Sequence, residues 1–177
     1  MLFFCIYQFY TIKLLTIYIA RDIIILNEGE ILEKYDSLLL KNQLCFPTYA
    51  VANLILRKYK PLLDKLDLTY TQYIVMMVMW EKRSVNEKEL CDTLFLKTNT
   101  LTPLIKRLKE KGYINIEKSQ TDKRNLVISL TDSGEKLKDK AVDVPPSIAK
   151  EYNLTEEEAM LMYKILYKIL DSDKENN

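Results

Sequence analysis

The run from Thr69 to Thr131 constrains the fold most tightly, because helical and strand periods follow one another in it in a fixed order. Thr69-Tyr-Thr-Gln72 has capping-box spacing, in which a Thr hydroxyl and a Gln amide satisfy each other's backbone N–H groups at a helix start. The helix it opens, YTQYIVMMVMWEK, is apolar nearly all round, which predicts a central, buried position with its methionines as core packing. Ser84-Val-Asn-Glu87 repeats the capping-box pattern and predicts a short helix carrying Leu90 and Leu94. Leu101, Leu104, Ile105 and Leu108 then fall at i, i+3, i+4 and i+7, the inward stripe of an amphipathic helix. Gly112 supplies its left-handed stop.

Next come GYINIE and NLVISL, which alternate with period two. Ile114 and Ile116 share one side of the first strand, and Leu126, Ile128 and Leu130 share one side of the second. KSQTDKR between them is a polar, basic hairpin tip. Thr131 starts another helix, Val144-Pro-Pro146 breaks it, and Thr155-Glu-Glu-Glu158 caps a last one with Leu161, Ile165 and Ile169 among its apolar positions. Upstream, Pro47 fits the first turn of a helix through Leu54, Ile55 and Tyr59 to about Leu66, bent near Pro61. Helix, turn, helix and basic-tipped hairpin predict a winged helix-turn-helix at about 69–131, in a chain that is mainly α with a small β-hairpin wing.

In such a fold the second short helix offers one face to its own core and the opposite face to a major groove. With the leucines inward, Asn99, Pro103 and Lys106 point outward, flanked by Thr98, Thr100, Thr102 and Arg107. Hydroxyl and amide side chains reach base edges, while Lys106 and Arg107 suit phosphates or guanine. Lys123 and Arg124 at the hairpin tip suit a minor groove. The formal net charge is only +1, yet from Lys97 to Arg124 eight basic residues stand against three acidic ones. That local excess is an electrostatic footprint for double-stranded DNA, although a charge run alone is an ordinary solvated face.

Ordinary enzymology is poorly supported. The chain has no histidine, which removes Ser-His and Cys-His nucleophile pairs and most zinc sites. Cys5, Cys45 and Cys91 lie too far apart for a CxxC pair, and none of the three glycines builds a phosphate loop. No metal and no cofactor is expected.

One cysteine stands out. In LKNQLCFPTYA, Cys45 falls where a helix should start, a position that favours anions and therefore the reactive thiolate. Tyr49 follows one turn along, and a phenolic O–H is a good donor to a thiolate. Cys91, within the first short helix, is read as packing.

The opening MLFFCIYQFYTIKLLTIYIARDIIIL has the apolar look of a membrane anchor, but Lys13, Arg21 and Asp22 interrupt it and no small-residue cleavage site follows. Asn27-Glu-Gly-Glu30 can be encoded by a purine-rich run containing AGGAG, which resembles a bacterial ribosome-binding site. Residues 1–31 are therefore expected to be a translated leader, with Leu32 as the true start and 32–177 as the folded domain; a membrane anchor is the alternative.

The segments LKNQLCF, YKPLLDKLDLTYTQY, TLTPLIKRL, TDKRNLVISLTDSG and KDKAVDVP together resemble the MarR family, in its organic-hydroperoxide-sensing OhrR/MgrA/SarZ branch. The resemblance spans residues 40 to 146 and implies a cytoplasmic, homodimeric repressor paired through its N- and C-terminal helices. It implies that Cys45 senses organic hydroperoxide, and that Tyr59 and Tyr70 of the partner protomer hydrogen-bond its thiolate. Oxidation then ends in a mixed disulfide with a low-molecular-weight thiol or in a higher oxide, and the operator is released. Lys97-Thr98-Asn99 stands where many relatives carry Asp-Ser-Gly, so their operator sequence does not carry over. Alternatives are a broader redox regulator, a phenolic-ligand-responsive regulator of the same family, and a Cys-based thiol peroxidase.

Overall fold

The computed structural model describes residues 35–119 and 125–174. The expected leader or anchor over 1–31 and the wing-tip residues Lys123 and Arg124 lie outside them. The chain divides into two compact units between Ile55 and Leu56.

In the first unit, short 3-10 turns at Asp36–Leu38 and Leu40–Asn42 precede helix α1, Cys45–Leu63, which crosses the division. Asn42 donates through Nδ2 to the Asp36 carbonyl at 2.8 Å, and Gln43 donates to that of Ser37, so side chains fix the approach to the helix. Pro47 occupies the first turn, where no intrahelical partner is lost. The helix stops three residues short of the expected end, and a 3-10 turn, Asp64–Leu66, continues it to Asp67 in the left-handed region (φ 52°).

The second unit carries the helix-turn-helix and its sheet. Helix α2, Tyr70–Lys82, opens on the complete capping box: Gln72 N–H donates to Thr69 Oγ1 at 3.3 Å and Thr69 N–H to Gln72 Oε1 at 3.0 Å. Val75, Met76 and Met79 of this helix are fully buried, so it is the central element. Ser84 does not cap the next helix. Ser84–Asn86 is instead a strand, β1, and Asn86 is the cap, accepting from Glu89 N–H at 2.8 Å to open α3, Glu87–Leu94. Backbone pairing decides this: Ser84, Val85 and Asn86 lie opposite Ser129, Ile128 and Val127, which buries Val85.

Helix α4, Thr98–Glu110, follows, and Gly112 at φ 75° turns the chain out of it. Strands β2, Ile114–Lys118, and β3, Leu126–Leu130, pair antiparallel with Ile114 opposite Leu130 and Ile116 opposite Ile128. The expected two-stranded hairpin is thus a three-stranded sheet in the order β1-β3-β2. Thr131 caps α5, Asp132–Ala141, as expected. The prolines after Val144 do more than break it: they occupy the first turn of a short helix α6, Val144–Ala149. Helix α7, Glu156–Lys174, begins on the reciprocal Thr155–Glu158 cap, with Leu161, Ile165 and Ile169 exposed.

The inward stripe of α4 is narrower than expected. Leu101, Ile105 and Leu108 are buried, but Leu104 is only half-buried. It sits about 60° round the helix from Leu101, at the edge of the stripe. Leu108→Ala is accordingly expected to cost about 2–5 kcal/mol, and Leu104→Ala clearly less. Paired urea melts of the two variants test the ranking.

Candidate DNA-reading face and sensor cysteine

The residues expected on the outer side of α4 are exposed, with Thr98 in its first turn at the edge of the buried stripe. Thr98, Asn99, Thr100, Thr102, Pro103, Lys106 and Arg107 are all exposed. No side chain caps the helix start at Lys97, so the first turn keeps backbone N–H groups for an external acceptor. Among the described residues neither Lys106 nor Arg107 enters an ion pair, which leaves both cations available to phosphate.

Glu87, at the start of α3, was not anticipated. Thr102 Oγ1 lies 3.2 Å from Glu87 Oε1 and 2.8 Å from the Thr98 carbonyl. A hydroxyl has one proton and cannot donate to both at once. Thr102 is therefore engaged by its own protein, with a carboxylate beside it. The only sequence signal was an acidic first turn on α3, which also has the ordinary explanation of complementing the helix dipole. On the wing, Ser119 N–H donates to the Asn125 carbonyl at 2.8 Å, closing the strands just before the tip.

Cys45 is the first residue of α1 and is exposed, with exposed Leu44, Phe46 and Tyr49 around it. It opens a helix whose first-turn backbone N–H groups have no intrahelical acceptor. Tyr49 lies one turn further along the same helix. Cys91 is the opposite case: it is buried, its Sγ 3.9 Å from Thr98 Oγ1 beneath the start of α4.

Tyr59 and Tyr70 meet in the second unit, their rings edge to face with centroids 4.9 Å apart. Tyr73 stands 6.0 Å from Tyr59. Burial, then the neighbouring hydroxyls of Tyr70 and Tyr73, push the Tyr59 phenol up to about 12 from 10.0. Burial likewise raises Tyr70. Both remain neutral donors at physiological pH. The folded-state value of Tyr59 lies above the unfolded one, so its contribution to stability is whole below pH 10 and is lost as pH rises from 10 to about 12. Tyr59→Phe is expected to flatten the fall in unfolding free energy across that window. Among the described residues no group of His, Cys, Asp and Glu is arranged to hold a metal ion, and no helix is long and apolar enough to cross a membrane.

The sequence pattern of the transcriptional regulator SarA/Rot family matches residues 57–141. The organic hydroperoxide resistance transcriptional regulator of Bacillus subtilis is 39% identical over 144 residues, covering 81% of this chain and 98% of that protein. The chain belongs to the MarR family of transcriptional regulators, in its OhrR/SarZ branch. The regulator SarZ of Staphylococcus epidermidis is 40% identical over 119 residues, 67% of this chain and 80% of its own length. Among solved structures, reduced AbfR bound to DNA matches with a TM-score of 0.64 at 34% identity, over 78% of this chain and 97% of that one. AbfR, from S. epidermidis, has also been solved overoxidised on DNA and in a disulfide form. The fold is that of a MarR-type winged helix-turn-helix, and these curated relatives are regulators of transcription, not enzymes.

Proposed function

We propose that this MarR-family protein is a cytoplasmic, homodimeric repressor that binds double-stranded operator DNA and releases it when organic hydroperoxide oxidises Cys45. The observation that carries the reading is the contrast between the two described thiols: Cys45 is exposed at a helix start and Cys91 is packed in the core. Similarity to a regulator of organic hydroperoxide resistance and to a protein solved in reduced, overoxidised and disulfide states supports it.

In this reading Tyr49 and the partner protomer's phenols, Tyr59 and Tyr70, hold the thiolate. The exposed apolar faces of α7 and of the segment before α1 pair the protomers. Thr98, Asn99, Thr100, Pro103, Lys106 and Arg107 address the major groove, with Thr102 partly withdrawn by Glu87, while Lys123 and Arg124 address the minor groove. The oxidised thiol ends as a mixed disulfide with a small cellular thiol or as a higher oxide, since Cys91, the other cysteine among the described residues, is buried. An adduct of that bulk at a packed interface moves the two heads out of register.

Footprinting the DNA upstream of the gene, with and without an organic hydroperoxide, tests the proposal: protection that disappears with the oxidant is expected, and protection indifferent to it contradicts the sensor. Lys106→Ala and Arg124→Ala are expected to weaken operator binding while leaving the dimer intact. Each should reduce the salt slope by about one for every phosphate it no longer neutralises. Titrations at several salt concentrations check it, and an unchanged slope for Arg124→Ala removes the wing from the binding face.

A further inference from the structure

The first turn of α3 carries two acids, Glu87 and Glu89, and the fold treats them differently. Glu89 is tied to Lys82 at 2.7 Å. Glu87 enters no ion pair among the described residues and turns toward α4 instead, its Oε1 3.2 Å from Thr102 Oγ1. Glu87 is half-buried and Thr102 exposed, so the carboxylate stands beside the exposed side of α4. That helix supplies no acid of its own before Glu110, its last residue. The packing of α3 on α4, and not the α4 sequence, therefore brings an acceptor there.

The pair cannot satisfy itself. Thr102 has one proton, and the Thr98 carbonyl, at 2.8 Å, is the nearer acceptor. While that bond stands, Glu87 Oε1 faces a hydroxyl lone pair, and nothing else among the described residues donates to its carboxylate. A carboxylate only accepts, so it repels phosphate and favours an N–H.

Base edges in the major groove differ in what they offer such a group. Cytosine presents its N4 amine, with one hydrogen outside the base pair and no acceptor beside it on the same base. Adenine also presents an amine, N6, but next to N7, an acceptor that a carboxylate opposes. Guanine and thymine present acceptors.

We propose that Glu87 is a specificity-determining residue of the DNA interface, its carboxylate accepting from the N4 amine of a cytosine in the operator. This rests on the reading of α4 as the helix that enters the major groove. Opposite any other base the carboxylate is left unpaired among phosphates, so the penalty falls on mismatched sequences and spares the operator.

Selection of duplexes from a randomised pool by full-length wild type and Glu87→Gln tests this, with Lys106→Ala alongside. The glutamine substitution keeps the length of the side chain and adds an amide N–H, which suits the N6 and N7 of adenine. Wild type is expected to prefer cytosine at one position of the selected half-site by about tenfold or more. Glu87→Gln should lose that preference and take adenine there, with the other positions unchanged, and should bind an unrelated duplex more tightly than wild type does. A motif identical to that of wild type overturns the assignment. So does a uniform loss of affinity with the preferences intact, which would mark a structural role at the start of α3. Lys106→Ala keeps the two failures apart: binding as tight as that of wild type would mean that α4 is not the reading face, and the assignment of Glu87 falls with it.

Discussion

Gly134→Ala is expected to destabilise the protein by about 3 kcal/mol or more, the reverse of the usual result at a helical position. Replacing a helical glycine by alanine ordinarily contributes about 1 kcal/mol of stability. Gly134 is the third residue of α5, and a Cβ built there meets the Tyr113 carbonyl oxygen at 2.1 Å and Leu130 Cδ1 at 2.7 Å. The leucine can rotate away; the carbonyl cannot, because it accepts from Thr131 N–H at 3.1 Å where the sheet joins the helix. Nor can the helix withdraw. Gly134 N–H donates to Thr131 Oγ1 at 3.0 Å, and its carbonyl accepts from Trp80 Nε1 at 2.8 Å in the interior. Relief of the clash therefore breaks a cap or leaves a buried indole N–H unpaired. Urea unfolding should show a lower midpoint at an unchanged slope, and a variant as stable as wild type would mean that α5 is seated differently.

That glycine was invisible in the sequence, where TDSGEK reads only as a helix start. Local signals succeeded where local chemistry decides, as at the Thr69, Thr131 and Thr155 caps and the alternation of β2 and β3. They failed where a distant partner decides. Ser84-Val-Asn-Glu87 and Asn86-Glu-Lys-Glu89 offer the same cap spacing two residues apart, and three residues are too few to display strand alternation. Pairing with β3 took Ser84 into the sheet and left the cap to Asn86. The candidate site divides the same way. The helix-start position of Cys45 was legible from its place before Pro47, whereas among twelve tyrosines the residues singled out only Tyr49, one turn along. Tyr59 and Tyr70 came from the family resemblance, and their ring contact emerged only with the fold. Glu87 carries no local mark that sets it apart from any acid at a helix start.

Cys45→Ser is expected to dimerise and bind operator as the reduced wild type does, and to lose all release by organic hydroperoxide. Serine has nearly the same shape but no thiolate, so it cannot take the first step to a sulfenic acid. Without that acid no small thiol can displace water to form the mixed disulfide, and nothing enlarges the side chain at the interface. Cys91→Ser should respond like wild type, since its sulfur is buried beneath α4 and removed from solvent oxidant. The pair of variants separates oxidation of the sensor from general oxidative damage.

The measurement that bears most directly on the sensor is operator release and intact mass followed in one sample, as organic hydroperoxide is titrated onto the wild-type complex in the presence of a small thiol. The account predicts release in proportion to a single thiol adduct per protomer, located on the peptide containing Cys45. Release while Cys45 remains unmodified, or accompanied by a Cys45–Cys91 disulfide, would contradict it.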